Sequence, residues 1–334
     1  MKLTDRINAF DKLGNVLSNL TENKQFQSVC SEASKKNPWF IKNNITYALI
    51  SISSLLKKDL LSVWVKQYDL NCNAKKVGVI VPSNIPLIGF VDFLSVLISG
   101  NFYIGKLSHS NNVLLPFIAS ILIKIETQFT SYISFVDDLG DLDFVIATGN
   151  DSTANILNYK YINVSRIIRK NKHSVAVLNG LENKSDYRGL FFDIVMYFGL
   201  GCRNVSKIFI PANFNWELIE EVFNEFDYPF INHYLDNIRH QIAICKINNV
   251  NYLQLSKLIF IENHYLSSPV GVVFYEYYND LKSVVSKINN DLNNIQCVVT
   301  KIHNINKSVS FGKAQTPTLY DWPDGVDVIE SILK

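Results

Sequence analysis

The chain has almost no net charge: 32 Lys and Arg stand against 30 Asp and Glu in 334 residues, a balance of +2. A nucleic-acid binder needs a basic footprint to neutralise phosphates, and none is present in this balance. The expected partner is therefore a small molecule or a protein. Cysteine is sparse. Cys30, Cys72, Cys202, Cys245 and Cys297 make an odd total with no CxxC pair and no regular spacing, so neither a disulfide framework nor a zinc cluster is suggested. They read as reduced cytosolic thiols. An uninterrupted apolar leader is lacking as well, because Asp5 and Asp11 break up MKLTDRINAFDKLGNVL; a cytoplasmic chain starting in an amphipathic helix is expected. Internal repeats and low-complexity segments are absent.

Long apolar runs are limited to one. Residues 77–100 (VGVIVPSNIPLIGFVDFLSVLISG) carry a single charge, Asp92, and are nominally long enough to span a bilayer. Pro82, Asn84 and Pro86 near the middle predict instead a strand, a turn and a helix.

What the chain does have is core-forming material: 48% hydrophobic against 19% charged residues, which argues against disorder or fibre. The length is about twice that of an average domain, so two compact units or one large α/β unit follow. Asparagine is abundant, at 37 residues, and is assigned to codon usage rather than to chemistry. The first 70 residues show helical patterns with polar faces, including one over 47–61. From Val77 the texture changes to short β-rich runs alternating with helical stretches, the signature of a parallel sheet built from βαβ units. Strands are expected at 77–81, 102–106, 143–148, 173–178, 207–211, 241–245, 257–261, 270–277 and 296–300. Helices are expected at 87–98, 112–125, 190–197 and 281–292, and in NWELIEEVFNEF. The fold class is α/β with two α/β domains, parallel sheets and an N-terminal helical preface. The expected organisation is a preface and NAD(P)-binding domain over 1–180, a catalytic domain over 181–310, and a tail over 311–334 that packs back on the body.

Three places carry potential chemistry. Cys202 sits in FGLGCRNVSKIFIP between a helix and a strand, flanked by Gly199 and Gly201, which allow a sharp turn and close approach to the sulfur. Arg203 and Lys207 supply positive charge that favours a thiolate. From these residues alone Cys202 is either a nucleophile or a buried structural cysteine. Asn84 stands between two prolines after a strand, at the end of a parallel sheet where ligands bind. Its amide is either an oxyanion donor or a turn residue bonded to its own backbone. The stretch IATGNDSTA (146–154) is a strand, a glycine and a helix start, with Asn150, Asp151 and Ser152 as cap candidates, and could offer backbone N–H groups to a phosphate. It lacks the G-x-G-x-x-G pattern.

The order VPSN (81–84), GKLSHS (105–110), ATGNDS (147–152), HSVAVL, GLGCRNVSKIF resembles the aldehyde dehydrogenase superfamily from about residue 75 to 300. Together with the tail FGKAQTPTLYDWPDGVDVIESIL (311–333), the pattern is similar to the LuxC-like acyl-CoA reductases, related to the fatty-acid reductase of bacterial bioluminescence, over nearly the whole chain. That resemblance implies a two-domain fold and a fatty acyl-CoA reductase that forms an aldehyde through an acyl-cysteine, with NAD(P)H as hydride donor. Cys202 matches the acylated position. Asn84 matches the side chain that shares the oxyanion hole with the Cys202 N–H. Lys106 matches the lysine on the adenosine ribose, and Thr148 and Gly149 match the turn whose helix faces the pyrophosphate.

Two departures carry information. Hydrolytic relatives place a water-activating Glu ahead of the strand equivalent to HSVAVL, yet no carboxylate lies between Ser165 and Ser174, as a reductase that must preserve its thioester requires. NAD-preferring relatives place an acid three residues after the lysine. Here that position is His109, next to Ser108, which implies NADPH, with NADH and a solvated loop histidine as the alternatives. The glutamate that holds the nicotinamide ribose in relatives is not placed: Glu262 and Glu276 lie in the region and neither is assigned. No metal is implied. Alternative substrates are an acyl phosphate or an acyl carrier protein, and the alternative of another class is a non-catalytic acyl-binding subunit. A homo-oligomer is expected, with an acyl-transferring protein as a further partner.

Overall fold

The computed structural model of the chain describes residues 1–20, 23–71 and 73–334; Cys72, expected as a reduced thiol, lies outside them. Two compact units are formed, one of residues 1–171 and 318–334 and the other of residues 172–317. The division expected near 180 thus falls at 171/172. The strand at 173–177 pairs into the second unit's sheet, and the tail is shared, with residues 311–317 in the second unit and 318–334 in the first.

The first unit opens with four helices, α1 (Leu3–Ser18), α2 (Lys24–Lys36), α3 (Lys42–Leu55) and α4 (Lys58–Val65). On α1 the residues Phe10, Leu13 and Leu17 recur at helical spacing and are fully buried. A Cβ at Gly14 would stand 2.8 Å from the Leu56 Cβ, so glycine lets α1 approach the α3–α4 junction. There the single helix expected over 47–61 breaks: Lys57 is extended, and the Lys58 N–H is taken by the Asp11 carboxylate at 2.8 Å.

The α/β part follows as β1 (Lys76–Val81), α5 (Phe90–Ile98), β2 (Phe102–Leu107), α6 (Leu114–Ile125), β3 (Ile133–Phe135), β4 (Phe144–Thr148), α7 (Asp151–Lys160) and β5 (Ser165–Arg169). Its five strands are parallel in the order β3-β2-β1-β4-β5. Central strands buried on both faces explain the continuous apolar runs. The edge strands β3 and β5 were not expected: one has three residues, and SRIIR mixes charge with isoleucine. The apolar stretch 77–100 resolves into β1, a turn in which Leu87 is left-handed (φ 59°), and α5. No helix among the described residues is long and apolar enough to cross a membrane.

The second unit contains β6 (His173–Val177), α8 (Lys184–Val195), β7 (Val205–Pro211), α9 (Glu217–Glu225), α10 (Asn232–Ile247), β8 (Leu253–Leu255), β9 (Leu258–Glu262), β10 (Val272–Tyr278), α11 (Leu281–Asn290), β11 (Ile295–Val299) and β12 (Ser308–Val309); α12 (Val328–Leu333) ends the chain in the first unit. The seven strands run β12-β11-β6-β7-β10-β9-β8, all parallel except the β8–β9 hairpin. Two apolar layers cover the sheet, Ala176, Ile208 and Ile210 on the α8–α9 side and Val175, Val177 and Phe209 on the α11 side. The strand expected at 241–245 is instead the end of α10. Tyr234, Ile238 and Cys245 are buried at helical spacing, and this period prevails over the brief alternation of Ile242 and Ile244.

Candidate active site

Cys202 lies in the turn between α8 and β7, half-buried and in no disulfide. The chain leaves α8 through three successive left-handed residues, Tyr197 (φ 52°), Phe198 (φ 59°) and Gly199 (φ 76°). Glycine adopts this freely, whereas each aromatic residue costs about 1–2 kcal/mol. Packing holds them there: Phe198 is 1% exposed, with its ring 5.7 Å from those of Tyr228 and Tyr234. Of the two glycines singled out in the sequence, only Gly199 uses its conformational freedom.

The turn is closed by side chains that the sequence did not flag. The Asn204 carboxamide accepts the Gly201 N–H (2.9 Å) and donates to the carbonyls of Asp193 (3.1 Å), Ile194 (3.2 Å) and Met196 (2.7 Å). The Ser174 hydroxyl donates to the Cys202 carbonyl at 2.9 Å, and the Arg203 Nε–H to the Ala314 carbonyl. Asp193, fully buried on α8, accepts the N–H groups of Gly312 (2.7 Å) and Ala314 (3.0 Å), which fastens the 311–315 segment to the helix behind the turn. Burial pushes its carboxyl up to about 7, against the pull of those N–H groups and of Arg203.

Lys207, expected to lend charge to Cys202, is spent elsewhere. Its ammonium is 1% exposed, donates to Glu276 Oε2 (2.6 Å) and to the His264 carbonyl (2.9 Å), and lies over the Phe209 ring. Burial lowers its pKa. Burial raises that of Glu276, but Lys207 and Lys287 together hold the carboxylate below its usual range. The group borders a cavity of about 240 Å³. Glu276 is thus engaged by two lysines, while Glu262 is exposed on a neighbouring recess of about 500 Å³ shared with Asn251, Asn263 and His264.

In the first unit, strand register brings three expected residues to one sheet edge. Lys106 pairs with Ile80 and Thr148 follows Ala147, which also pairs with Ile80, so both lie near the carboxyl end of β1, from which the Asn84 loop departs. The strand order reverses at β1, the place where open α/β sheets bind ligands. Two buried asparagines clamp that loop. Asn111 donates to the Pro82 carbonyl (2.6 Å) and Asn37 to the Ser83 carbonyl (2.8 Å). Dismissing asparagine as codon usage missed Asn37, Asn111 and Asn204.

The same edge fits a dinucleotide. A Cβ at Gly149 would stand 2.7 Å from the Thr153 side chain, so glycine makes the tight strand-to-helix turn possible. Asn150 caps α7 by accepting the Thr153 N–H at 2.8 Å, leaving a ten-residue helix with its positive end at the strand terminus. A cavity of about 330 Å³ adjoins β2, walled by Gly105, Leu107, Asn112, Pro116, Phe135, Val136 and Asp137. A Cβ at Gly105 would meet the Tyr103 and Phe135 rings at 2.6 and 3.0 Å. Lys106 alternates with Gly105 and Leu107 and so lies on the opposite face. Neither Ser108 nor the exposed His109, which opens a short 3-10 turn, is part of the wall.

Comparison with known proteins decides the family. The acyl-CoA reductase (LuxC) family matches residues 37–225, which include Asn84, Lys106, Thr148, Gly149 and Cys202. The chain belongs to the LuxC acyl-CoA reductase family. As a member it is an oxidoreductase acting on acyl groups or aldehydes, and a nicotinamide cofactor is implied. No curated protein matches the chain. Among solved structures it resembles aldehyde dehydrogenase 21 from Physcomitrella patens in complex with the reaction product succinate (TM-score 0.69, 12% identity, 100% of this chain and 84% of that one). It also resembles an acetylating aldehyde dehydrogenase from Geobacillus thermoglucosidasius (0.64, 10%, 96% and 86%). A third likeness is to the NAD+ complex of aldehyde dehydrogenase from Bacillus cereus (0.64, 13%, 91% and 73%). At these identities the likeness is one of fold.

Proposed function

We propose that this LuxC-family chain reduces an acyl thioester, acyl-CoA, to the aldehyde through an acyl group carried on Cys202. The supporting observation is the nucleophile turn itself: a half-buried cysteine outside any disulfide, placed by a strained left-handed exit from α8 and fixed on both sides by Ser174, Arg203 and Asn204. Strained backbone retained at a cost is a hallmark of functional turns.

The Cys202 thiolate attacks the thioester carbonyl, the Asn84 amide and the Cys202 N–H receive the oxyanion, and CoA departs as a thiolate that takes up a proton. The positive charge of Arg203 at the next residue favours the thiolate. When bound, the nicotinamide cofactor supplies a hydride to the acyl carbon. The resulting thiohemiacetal collapses to aldehyde and returns the sulfur of Cys202.

Water is the competitor of the acyl-enzyme, and this chain offers it little help. The segment between Ser165 and Ser174 has no carboxylate, and its Arg169 is engaged by Asp92. The Asp193 carboxylate behind the turn is engaged by two backbone N–H groups. For the cofactor, α7 with Thr148 and Gly149 would hold the pyrophosphate, Lys106 the adenosine ribose, and Ser108 and His109 the 2′-phosphate of NADPH.

The test is a spectrophotometric assay of NADPH oxidation with acyl-CoA, acyl carrier protein and acyl phosphate side by side. Acyl-CoA turnover that Cys202→Ala abolishes supports the reading. Equal turnover by Cys202→Ala, or turnover of acyl phosphate alone, contradicts it.

A further inference from the structure

The geometry points to Ser174 as a positioning residue for the Cys202 nucleophile, an inference that rests on the reading of Cys202 given above. Ser174 is fully buried in the centre of the larger sheet, on β6 between β7 and β11. Both neighbouring ladders are irregular at this one residue. Against β7 the register passes from Ser174↔Val205 to Val175↔Lys207, so β7 carries one extra residue. Against β11 it passes from His173↔Ile295 to Val175↔Val298, so β11 carries one extra residue as well. Bulges bend strands, re-aim side chains and gather next to active sites. Here two of them flank a single hydroxyl.

That hydroxyl is used to capacity. It has one proton and two lone pairs. The proton goes to the Cys202 carbonyl (2.9 Å), and the oxygen accepts the Cys297 N–H (3.2 Å) and stands 3.2 Å from Cys297 Sγ. The N–H left over by the β11 bulge is thereby satisfied, and the same oxygen fixes the carbonyl of the residue whose thiol and N–H do the chemistry. A serine that only filled the bulge would have no need to reach the Cys202 carbonyl. Ser174 acts through Cys202: by holding its carbonyl it fixes the Cys202–Arg203 peptide, and with it the backbone rotation on the carbonyl side of the carbon that bears the sulfur.

The experiment is single-turnover acylation by acyl-CoA without reductant, followed by peptide mapping at Cys202 and expressed per folded molecule. Ser174→Ala should slow acylation about tenfold at saturating acyl-CoA with half-saturation unchanged. Ser174→Thr, which keeps the donor, should recover much of that loss, and Cys297→Ala, which leaves the hydroxyl-to-carbonyl bond, should stay within about twofold of wild type. If Ser174→Ala does not fold, Ser174→Cys offers a weaker donor of nearly the same shape and should be several-fold slow. Acylation at the wild-type rate in the alanine or cysteine variant would overturn the inference, as would a Cys297→Ala loss as large as that of Ser174→Ala. If wild-type Cys202 takes no acyl group, the reading of the nucleophile fails first and this inference falls with it.

Discussion

The Arg169 guanidinium grips the Asp92 carboxylate through two parallel hydrogen bonds, at 2.7 and 2.8 Å, with both side chains more than nine-tenths buried. This ties the last residue of β5 to the first turn of α5. The Arg169 carbonyl also accepts the Gly149 N–H at 3.1 Å, so the pair braces the strand-to-helix turn of the proposed cofactor site. Removing one partner strands the other charge. Asp92→Ala should destabilise the fold by about 3–5 kcal/mol, and the double change Asp92→Leu with Arg169→Met should recover much of it. Urea unfolding of the single and double variants measures both.

The Asn84 loop is held by its backbone, not by its prolines alone. Asn84→Ala should lower kcat by about 10²-fold with stability nearly unchanged. Asn111→Ala and Asn37→Ala should each cost about 1 kcal/mol of stability and reduce kcat more than they raise KM, because each frees a carbonyl of the loop. Steady-state kinetics beside thermal melts separate the two effects.

A pH effect follows from Asp193. Its carboxyl sits at about 7 in the folded chain against an ordinary 3.8, chiefly through burial. Between these values the folded state holds a proton that the unfolded state has released, so this group's contribution to stability falls as pH rises from about 4 to about 7. Asp193→Asn should remove that slope, and unfolding measured at pH 5, 6 and 7 should show it relative to wild type.

How much of this was legible beforehand depends on period and on burial. The strands VGVIV and FVIAT are apolar on both faces and announced themselves, and VVFYEYY did so through its β-branched and aromatic residues despite Glu276. SRIIR did not, since an edge strand keeps its charges. QIAIC misled, because five residues cannot distinguish alternation from the end of a sixteen-residue helix whose other buried positions lie further back, at Tyr234 and Ile238. At the proposed nucleophile, the cysteine and its glycine could be picked out, but Ser174 and Asn204 could not: their contacts come from two bulges and a helix end that no local spacing reveals. Lys207 looked like a charge for the thiolate, and only the fold shows it committed to Glu276 across the sheet.

Cofactor preference should respond to charge at two places. His109→Glu should lower the ratio of kcat/KM for NADPH over NADH by about tenfold, through repulsion of the 2′-phosphate. Asp137→Asn, which removes the one carboxylate in the wall of the β2 cavity, should raise it. Direct titration of NADPH and NADH by fluorescence should shift in the same directions.

The central claim is that Cys202 carries the acyl group, and peptide-mapped mass spectrometry after mixing wild-type protein with acyl-CoA alone tests it most directly. The expected result is one acyl group, on Cys202, that persists in buffer and is discharged as aldehyde when NADPH is added. No adduct, or an adduct on Cys30, Cys245 or Cys297 with Cys202 unmodified, would contradict it.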